Sequence, residues 1–339
     1  MEKKSSNQMI SLENKRILSK ISKKKQELDL NLSGNTVLTE VGSDEYVFTP
    51  IIAALANADK VYAYTNDSKY GKAIENINRC KEILENINLL DKVEFFIGEI
   101  NEFHLRNVDI ITNSGFLRPL NKEKLQHLKK GAVIPLMYEK WELRDSDIDI
   151  NYCKENNIKV AGTWENHPSL LVFNHVGPLA LKMALNAGYE VYENKIIVWS
   201  DDHFGEVVKE AFLNIGANVV ILTTNEIHLY DNIDDVDFVF ICDYDEERDY
   251  GTSDFFNFEK LLQKNPTFGI VHLYGKIDYN KHKDLVTNIY PDFDGFPRLM
   301  THTLSHIGIN PIINLQVAGF KVAESLHKNI SCEFSQIIK

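Results

Sequence analysis

Residues with special backbone or redox chemistry are scarce in this chain: its 339 residues include 4 cysteines, 17 glycines and 9 prolines. No two cysteines form a C-x-x-C pair, which argues against a zinc ribbon and against a dithiol redox motif. No apolar run approaches the roughly 18 residues of a membrane-spanning helix, and the N-terminus lacks the apolar segment of a secretory signal. We therefore expect free thiols, no membrane partner and a cytoplasmic location.

Acidic residues outnumber basic residues by 49 to 37, so the net charge of the chain is 37 − 49 = −12. This charge argues against nucleic acid as a partner. The first 25 residues are an exception, because they carry eight basic and two acidic side chains. Ser11, Ile17 and Ile21 indicate a short amphipathic helix with a serine N-cap. This arm either binds a polyanion or an acidic partner protein, or it lies solvated on the first domain.

From Thr36 onward, hydrophobic runs alternate with amphipathic helices. Nearly continuous hydrophobic strands separated by helices are typical of parallel sheets that are covered on both faces. The predicted strands span 36–41, 60–64, 93–97, 108–112, 132–137, 158–161, 195–199, 218–222, 237–242 and 268–273. The sequence therefore predicts the α/β class, with two Rossmann-like domains of parallel sheets and an interdomain cleft.

An apolar helix predicted over 168–187 divides this pattern into two parts. Apolar residues surround most of its circumference, so we expect it to be buried between two domains. The predicted organisation is a basic helical appendage over 1–35, a first Rossmann-like domain over 36–167, an interdomain helix over 168–190, a second Rossmann-like domain over 191–309, and a C-terminal helix over 310–339 that packs back on the first domain.

The order of these segments resembles that of the D-isomer-specific 2-hydroxyacid dehydrogenases. The stretch Asp145–Ile150, followed by Cys153–Val160, looks like the D-x-I-D-…-G-I-x-V segment of that family. The resemblance extends over much of residues 100–326 and is one of layout. It implies an NAD(P)-linked oxidoreductase that acts on a small oxo or hydroxy metabolite in the interdomain cleft, and it implies a homodimer.

The resemblance also implies catalytic residues in the second domain. Both His302 and His306 fall where the family places a catalytic histidine, and the sequence leaves the choice open. The position of the family's arginine is held by Lys276, which keeps the positive charge without the two-pronged guanidinium. The histidine would act as an acid and base, and the lysine would polarise the substrate oxygen.

The dinucleotide turn G-x-G-x-x-G corresponds here to the run from Ser200 to Gly205, in which only the last glycine is present. The resemblance places Ser200, Asp202 and Gly205 at the cofactor phosphates and Glu226 at the ribose. A carboxylate there would repel a phosphate by about 4 kcal/mol at about 4 Å and an effective dielectric constant of about 20. The alternative is a plain turn in which Asp201 or Asp202 caps the following helix.

The strands of the first domain are also followed by candidate ligand residues: Gly42 after the first, Asp67 after the second and Glu99 after the third. Class I methyltransferases and dinucleotide enzymes hold a ribose with an acid after the second strand, and the run 86–99 resembles the methyltransferase segment that leads to the adenine contact. These residues predict an S-adenosylmethionine site as an alternative. They are otherwise helix caps and solvated loop residues.

Two polar clusters follow later strands of the first domain, at the edge where open α/β sheets bind ligands. In one, Glu139 is a catalytic candidate, while Glu142 and Arg144 could orient a cationic or polar substrate or form a salt-bridged surface turn. In the other, Asn166 is a substrate-binding candidate. His167 is a catalytic candidate, and a helix N-terminus beside it would disfavour its charged form.

No metal site is predicted, because the pair His302 and His306 lacks the glutamate of an HExxH motif. The GxSxG and GxxxxGK[ST] motifs are missing as well, which argues against a standard α/β-hydrolase and a P-loop NTPase. Three hypotheses remain: an NAD(P)-linked oxidoreductase, an S-adenosylmethionine-dependent methyltransferase that uses the first domain, and a non-catalytic protein that binds a nucleotide or another small metabolite.

Overall fold

The computed structural model describes residues 11–225, 233–252 and 255–338. Its internal contacts divide the chain into two compact units. The first unit consists of Met1–Val172 together with Gly308–Lys339, and the second unit consists of Phe173–Ile307. The predicted domain boundaries near 168 and 309 lie close to these points. The cleft between two domains stays a prediction.

Strands and helices alternate along the first part of the first unit, as the hydrophobic periodicity predicts. They are α1 (Leu12–Glu27), β1 (Thr36–Glu40), α2 (Thr49–Leu55), β2 (Lys60–Thr65), α3 (Ala73–Asn86), β3 (Val93–Ile97), α4 (Glu102–Asn107), β4 (Ile110–Ile111), α5 (Lys122–Leu125), β5 (Val133–Pro135), α6 (Ile150–Glu155) and β6 (Lys159–Thr163). The predicted N-cap of α1 is confirmed, because the Ser11 hydroxyl oxygen accepts a hydrogen bond from the Asn14 N–H at 3.1 Å.

The second unit repeats the alternation, and the chain then returns to the first unit. The second unit contains α7 (Val176–Asn186), β7 (Lys195–Trp199), α8 (His203–Leu213), β8 (Asn218–Leu222), β9 (Phe238–Ile241), α9 (Phe258–Lys264), β10 (Gly269–His272), α10 (Tyr279–His282) and β11 (Ile289–Tyr290). The returning segment forms α11 (Asn310–Lys328) and β12 (Ser335–Ile337). In the first unit, α11 packs against β5, β6 and α1.

The sheet of the first unit has the strand order β12-β6-β5-β4-β1-β2-β3. The strands β1 to β6 are parallel, and β12 joins β6 in antiparallel orientation. Strands β1 to β6 therefore follow the Rossmann order 3-2-1-4-5-6. The order reverses between β1 and β4, and we call the carboxyl ends of these two strands the first switch point. Ligands of open α/β sheets bind at such a point.

The sheet of the second unit has the order β11-β10-β9-β7-β8, with every pair parallel. This is the 2-1-3-4-5 order of another doubly wound fold, and it reverses between β7 and β9. The carboxyl ends of β7 and β9 form the second switch point. Buried side chains cover both faces, with Val198 and Phe240 in one apolar cluster and Ile197 and Val239 in another. The predicted α/β class with two Rossmann-like sheets is confirmed.

The predicted helix over 168–187 was wrong at its start, because α7 begins only at Val176. The segment before it turns, with Leu171 at a left-handed φ of 48°, and the Val172 N–H donates to the Glu165 carbonyl oxygen at 2.9 Å. Within the second unit α7 packs on α8, and a Cβ on Gly177 would lie 2.8 Å from the Cβ of Ala211. Its role between domains stays a prediction.

Strands β11 and β12 are not among the predicted strands. They are as short as β4 and β5, but they do not lie within longer apolar runs such as 108–112 and 132–137. Over the described ranges, no helix combines the length and the apolar character that crossing a bilayer would require.

Candidate functional site

A carboxylate bridges the first switch point. Glu40 is the last residue of β1, and its Oε2 accepts a hydrogen bond at 3.0 Å from the Phe116 N–H, in the loop after β4. Burial raises the pKa of Glu40, while the Phe116 N–H and the Arg118 charge partly offset that effect. The carboxylate thus fills the space between the two loops that a ligand of this edge would approach.

Three further glutamates follow β5 and β6 at the same edge of the sheet. Glu139 is buried, and its carboxylate accepts hydrogen bonds from the Glu165 N–H at 2.9 Å, Trp141 Nε1 at 3.0 Å and Gln336 Nε2 at 3.1 Å. The Glu139 N–H in turn donates to Glu142 Oε1 at 3.2 Å. The predicted catalytic candidate Glu139 therefore joins the loops after β5 and β6 and the C-terminal strand. We call Glu40, Glu139, Glu142 and Glu165 the glutamate cluster.

Burial raises the pKa of three carboxyl groups in this cluster, those of Glu40, Glu142 and Glu165. Burial raises the pKa of Glu142 to about 7, and the neighbouring charge of Glu139 adds to that rise. Burial likewise raises the pKa of Glu165 well above its usual range, with contributions from Glu142 and Glu139. The pKa of Tyr46 is raised by burial and by the charges of Glu165, Glu40 and Glu142. Groups that exchange protons near neutral pH can serve as acids and bases.

A buried acceptor without a partner lies beside the cluster. The Tyr138 hydroxyl donates to Asp147 Oδ2 at 2.8 Å, so it must accept the hydrogen bond that Asn113 Nδ2 offers at 2.6 Å. That orientation leaves Asn113 Oδ1 as an acceptor, and this fully buried atom has no hydrogen-bond partner among the described residues. Arg118 connects Asn113 to the glutamate cluster, because its Nε donates to the Asn113 carbonyl oxygen and its charge acts on Glu40 and Glu142. This edge therefore contains at least one buried acceptor to which the described residues donate no hydrogen bond.

The structure brings only some of the other first-domain candidates to this cluster. The charge of Arg144 acts on Glu142, and Arg144 also lines an open groove of about 750 Å³ with Lys140 and Asn121. Asn166 is exposed. His167 contacts Ser169 Oγ at 2.7 Å through Nδ1 and lies beside Trp164. The helix N-terminus predicted beside His167 is not there, because α7 begins nine residues later at Val176.

Two of the three candidates for an S-adenosylmethionine site, Gly42 and Asp67, are engaged in contacts within the protein. A Cβ on Gly42 would stand 2.5 Å from the Cβ of Tyr46, so this glycine makes room for the tyrosine. Asp67 accepts hydrogen bonds from the Ala73 N–H at 2.9 Å and from Lys72 Nζ at 2.8 Å. Glu99 is exposed beyond β3, the edge strand of the sheet. The bonds of Asp67 agree with the helix-cap interpretation.

At the second switch point, the carboxylate of Asp202 is bound by backbone N–H groups from two elements. Oδ1 accepts from the Phe204 N–H in the first turn of α8, and Oδ2 accepts from the Tyr244 N–H in the loop after β9, both at 2.8 Å. The Ser200 hydroxyl lies 3.0 Å from Oδ1 and 3.1 Å from the Cys242 carbonyl oxygen, and it can donate to either. Asp202 is the N-cap of α8, as the alternative interpretation of this turn had it.

The glycine that remains in the turn has a packing role. A Cβ on Gly205 would lie 2.6 Å from the Cβ of Ser200, so the glycine permits close contact between α8 and β7. This is the role of the third glycine in a dinucleotide turn, whereas the first two allow the tight turn and the close approach of the pyrophosphate. Because Asp202 takes the N–H groups that a phosphate would use, these residues do not fit a dinucleotide in the implied pose. The ribose candidate Glu226 lies outside the described residues.

More acids surround this turn. Asp201 accepts hydrogen bonds from the Thr224 N–H at 2.9 Å and from the Thr224 hydroxyl. Burial raises the pKa of Asp243, which follows β9, to about 7, and the charges of Asp202 and Asp201 contribute. Asp201, Asp243 and Glu246 each bring a carboxylate oxygen within 4.8 Å of the others. Glu246 is already bound by Arg248 through two hydrogen bonds, at 2.9 and 2.7 Å.

The two candidate histidines of the second unit do lie together. The ring centres of His302 and His306 are 4.5 Å apart. His302 Nε2 is 3.4 Å from the Tyr290 hydroxyl, and its Nδ1 has no hydrogen-bond partner. Burial lowers the pKa of both histidines, and the Lys182 charge lowers it further, so neutral imidazoles are favoured. Lys276 forms an ion pair with Asp249 at 3.2 Å.

Sequence analysis missed Glu40, Tyr46, Arg118 and Asp243 as site residues, and it left Glu165 without a role. The position of each acid relative to a strand could have indicated it, because Glu40 ends β1 and Asp243 follows β9 by two residues. No signal in the sequence shows that Tyr46 and Arg118 would face these acids.

No protein-family model matches this chain, and no curated protein sequence matches it. Solved structures do resemble it. A dipicolinate synthase from Bacillus halodurans has a TM-score of 0.52 and 16% identity, covering 88% of this chain and 98% of that chain. A dipicolinate synthase from Bacillus subtilis has a TM-score of 0.47 and 15% identity over 89% and 97% of the two chains. A D-2-hydroxyisocaproate dehydrogenase has a TM-score of 0.47 and 10% identity, covering 88% of this chain and 99% of that chain.

These similarities concern the fold. The similarity to the Bacillus halodurans structure, together with the strand order of the two sheets, confirms the two-domain Rossmann-like layout which the resemblance to D-isomer-specific 2-hydroxyacid dehydrogenases predicted. At sequence identities this low, a shared fold does not show that two proteins catalyse the same reaction.

Proposed function

We propose that this protein binds a small metabolite with a cationic group at the glutamate cluster of its first unit, and that Glu142 releases a proton to solvent when the metabolite binds. The observation that carries this proposal is a group of acidic side chains at the carboxyl ends of the strands, linked through Arg118 to a buried acceptor. Glu40, Glu142 and Glu165 are acidic, and Asn113 Oδ1 is a buried acceptor for which the described residues supply no donor. An ammonium or other N–H donor supplies what such a site lacks.

The raised proton affinities support this assignment. A cation beside a carboxyl group favours its charged form, so binding would lower the pKa of Glu142 from about 7 and release a proton near neutral pH. An anionic ligand would have the opposite effect. The positive charge of Arg118 acts on both Glu40 and Glu142, but its Nε already donates a hydrogen bond to the Asn113 carbonyl oxygen.

Calorimetric titration tests the proposal. Amino acids, amino sugars and short diamines would be titrated into the protein beside their hydroxyl analogues, in buffers of different ionisation enthalpy. We expect an amine to bind with proton release, and Glu142→Gln to weaken its binding at least about tenfold, which corresponds to 1.4 kcal/mol. Glu155→Gln, an exposed change of equal charge in α6, is the control. Binding of hydroxyl and amine analogues with equal affinity would contradict the proposal.

An NAD(P)-linked oxidoreductase acting on a small oxo or hydroxy metabolite is the second candidate. The fold shared with the Bacillus halodurans dipicolinate synthase favours it, as does the neutral pair His302 and His306, which could supply acid and base groups. The cofactor would then have to bind away from the N-terminus of α8. A thermal-shift series with NAD, NADP, S-adenosylmethionine and S-adenosylhomocysteine separates the candidates. A shift with a nicotinamide cofactor supports this one, and a shift with the sulfonium compound alone supports the methyltransferase alternative.

The predicted homodimer and cytoplasmic location stay predictions. Sedimentation of the purified protein at several concentrations would test the dimer.

A further inference from the structure

Asp202 lies at the second switch point, and its carboxylate accepts hydrogen bonds from two elements, which is unusual for a helix cap. A capping side chain ordinarily accepts from the first turn of its own helix. Here one oxygen accepts from the Phe204 N–H in α8, while the other accepts from the Tyr244 N–H, which belongs to the loop after the neighbouring strand. Two N–H groups from two elements thus converge on one carboxylate.

In dinucleotide-binding proteins a phosphate lies in the corresponding place, at a helix N-terminus beside the switch point. A helix N-terminus offers free N–H groups and the positive end of the helix dipole, and the switch point brings a second loop beside it. The glycine that permits close contact between α8 and β7 is retained at Gly205. The backbone of an anion site is therefore present, and a side chain of the same chain occupies it.

The acidic side chains around this turn also disfavour a phosphate, in addition to the occupation of its N–H groups by Asp202. Asp201 and Asp202 lie close enough to Asp243 for their charges to raise the pKa of Asp243. A phosphate approaching the turn would therefore meet the side chains of Asp201 and Asp243 in addition to that of Asp202. Of the three, only Asp202 bonds to both the helix and the loop after β9.

We infer that Asp202 determines the ligand specificity of the second switch point: its carboxylate takes the place of a ligand phosphate, and removing it would open a site for phosphate-bearing ligands. This inference concerns the second unit and does not rest on the ligand proposed for the glutamate cluster.

The test is a calorimetric titration of inorganic pyrophosphate and of ADP into the full-length wild-type protein and into Asp202→Gly and Asp202→Ser. Glycine removes the carboxylate and its cap. Serine keeps a capping oxygen for the Phe204 N–H but removes the charge and frees the Tyr244 N–H. We expect no binding by the wild type at millimolar concentration, and at least about a tenfold gain in affinity for pyrophosphate in both variants. If Asp202→Gly does not fold, as judged by circular dichroism, Asp202→Ser decides the result.

The matched control is Asp201→Asn, which removes the same charge from the neighbouring residue, whose bonds go to Thr224. It should gain much less affinity than the Asp202 variants. Three results would overturn the inference: an equal gain in Asp201→Asn, which would reduce the effect to net charge; no gain in a folded Asp202 variant; or wild-type binding as tight as that of the variants.

Discussion

The two switch points of this protein are both bridged by a carboxylate, but the carboxylates come from different positions. In the first unit, Glu40 is the last residue of β1 and reaches across to the Phe116 N–H. In the second, Asp202 stands three residues beyond β7 and reaches across to the Tyr244 N–H. Only Asp202 also binds the N-terminus of the following helix. In the first unit, Ser43 precedes the next 3-10 helix without a side-chain cap bond.

This difference shows how a small shift along the chain changes what a sheet edge can bind. An acid at the end of the strand, such as Glu40, accepts a hydrogen bond from the neighbouring loop but makes none to the N-terminus of the following helix. An acid in the turn also neutralises the helix N-terminus, which would otherwise attract anions. The second edge is thereby closed to phosphate by its own residue, while the first edge brings together four glutamates, three of which have a pKa raised by burial. The predictions below act on one edge or the other.

The largest effect is expected for Glu139→Ala. This substitution removes the acceptor of the Glu165 N–H, Trp141 Nε1 and Gln336 Nε2. Unsatisfied buried donors cost about 1–3 kcal/mol each, and water can reach the exposed Trp141 ring. We expect the free energy of unfolding in urea to fall by about 3 kcal/mol. Glu155→Ala is the control. A loss no larger than in the control would show that Glu139 does not hold the first edge together.

A smaller loss is expected for Gly205→Ala at the second edge, since its new Cβ would lie 2.6 Å from the Cβ of Ser200. Overpacking of this kind costs about 1–3 kcal/mol, and we expect about 2 kcal/mol in urea unfolding. The double variant Ser200→Gly with Gly205→Ala removes the clashing atom, so it should be more stable than the sum of the single changes predicts. Additive losses would mean that the glycine does not set the contact between α8 and β7.

Glu142→Gln should stabilise the protein, and the gain should depend on pH. Because the folded pKa is raised from 4.5 to about 7, the folded state binds the proton more tightly than the unfolded state. The wild type therefore loses stability as the pH rises through that window, and the neutral glutamine does not. We expect a gain of about 1–2 kcal/mol near pH 8, less than the full pKa difference implies because the side chain is partly exposed, and no gain near pH 4.

Urea unfolding of both proteins across this range is the measurement, with Glu155→Gln again as the control. A constant difference at all pH values would contradict the raised pKa, because the difference varies with pH only if the pKa of Glu142 differs between the folded and unfolded states.

Asp243→Asn repeats the experiment at the second edge. Burial and the charges of Asp202 and Asp201 raise the pKa of Asp243 from 3.8 to about 7. The wild type should therefore lose stability relative to this variant as the pH rises, as it does relative to Glu142→Gln. The asparagine oxygen can still accept the hydrogen bond that the Tyr250 hydroxyl offers at 3.3 Å. We expect about 1 kcal/mol of added stability near pH 8 and none near pH 4. If only one of the two variants responds to pH, the two edges differ in proton affinity as well as in bonding.

The architecture of this protein could be predicted from its sequence, whereas the contacts of its edges could not. Continuous apolar runs such as 195–199 and 237–242 form strands β7 and β9 as predicted, because burial on both faces leaves a clear pattern. The cap role of Asp202 was foreseen as an alternative, since capping depends on local spacing. Its bond to Tyr244 N–H joins residues 42 apart and depends on strand order. The start of α7 was misplaced because a left-handed Leu171 is not visible in an apolar run.

The smallest effect is expected for Lys276→Met, which separates the role that the family resemblance implies from the role that the structure shows. The Nζ atom pairs with Asp249 at 3.2 Å, and both side chains are more than a third exposed. Exposed ion pairs contribute little, so we expect the free energy of unfolding to change by less than about 0.5 kcal/mol. Asp249→Asn should have an equal effect if the pair is all that Lys276 contributes. Lys276→Met could instead keep its stability but lose binding of a small oxo acid, while Asp249→Asn retains that binding. That result would show that Lys276 binds the substrate.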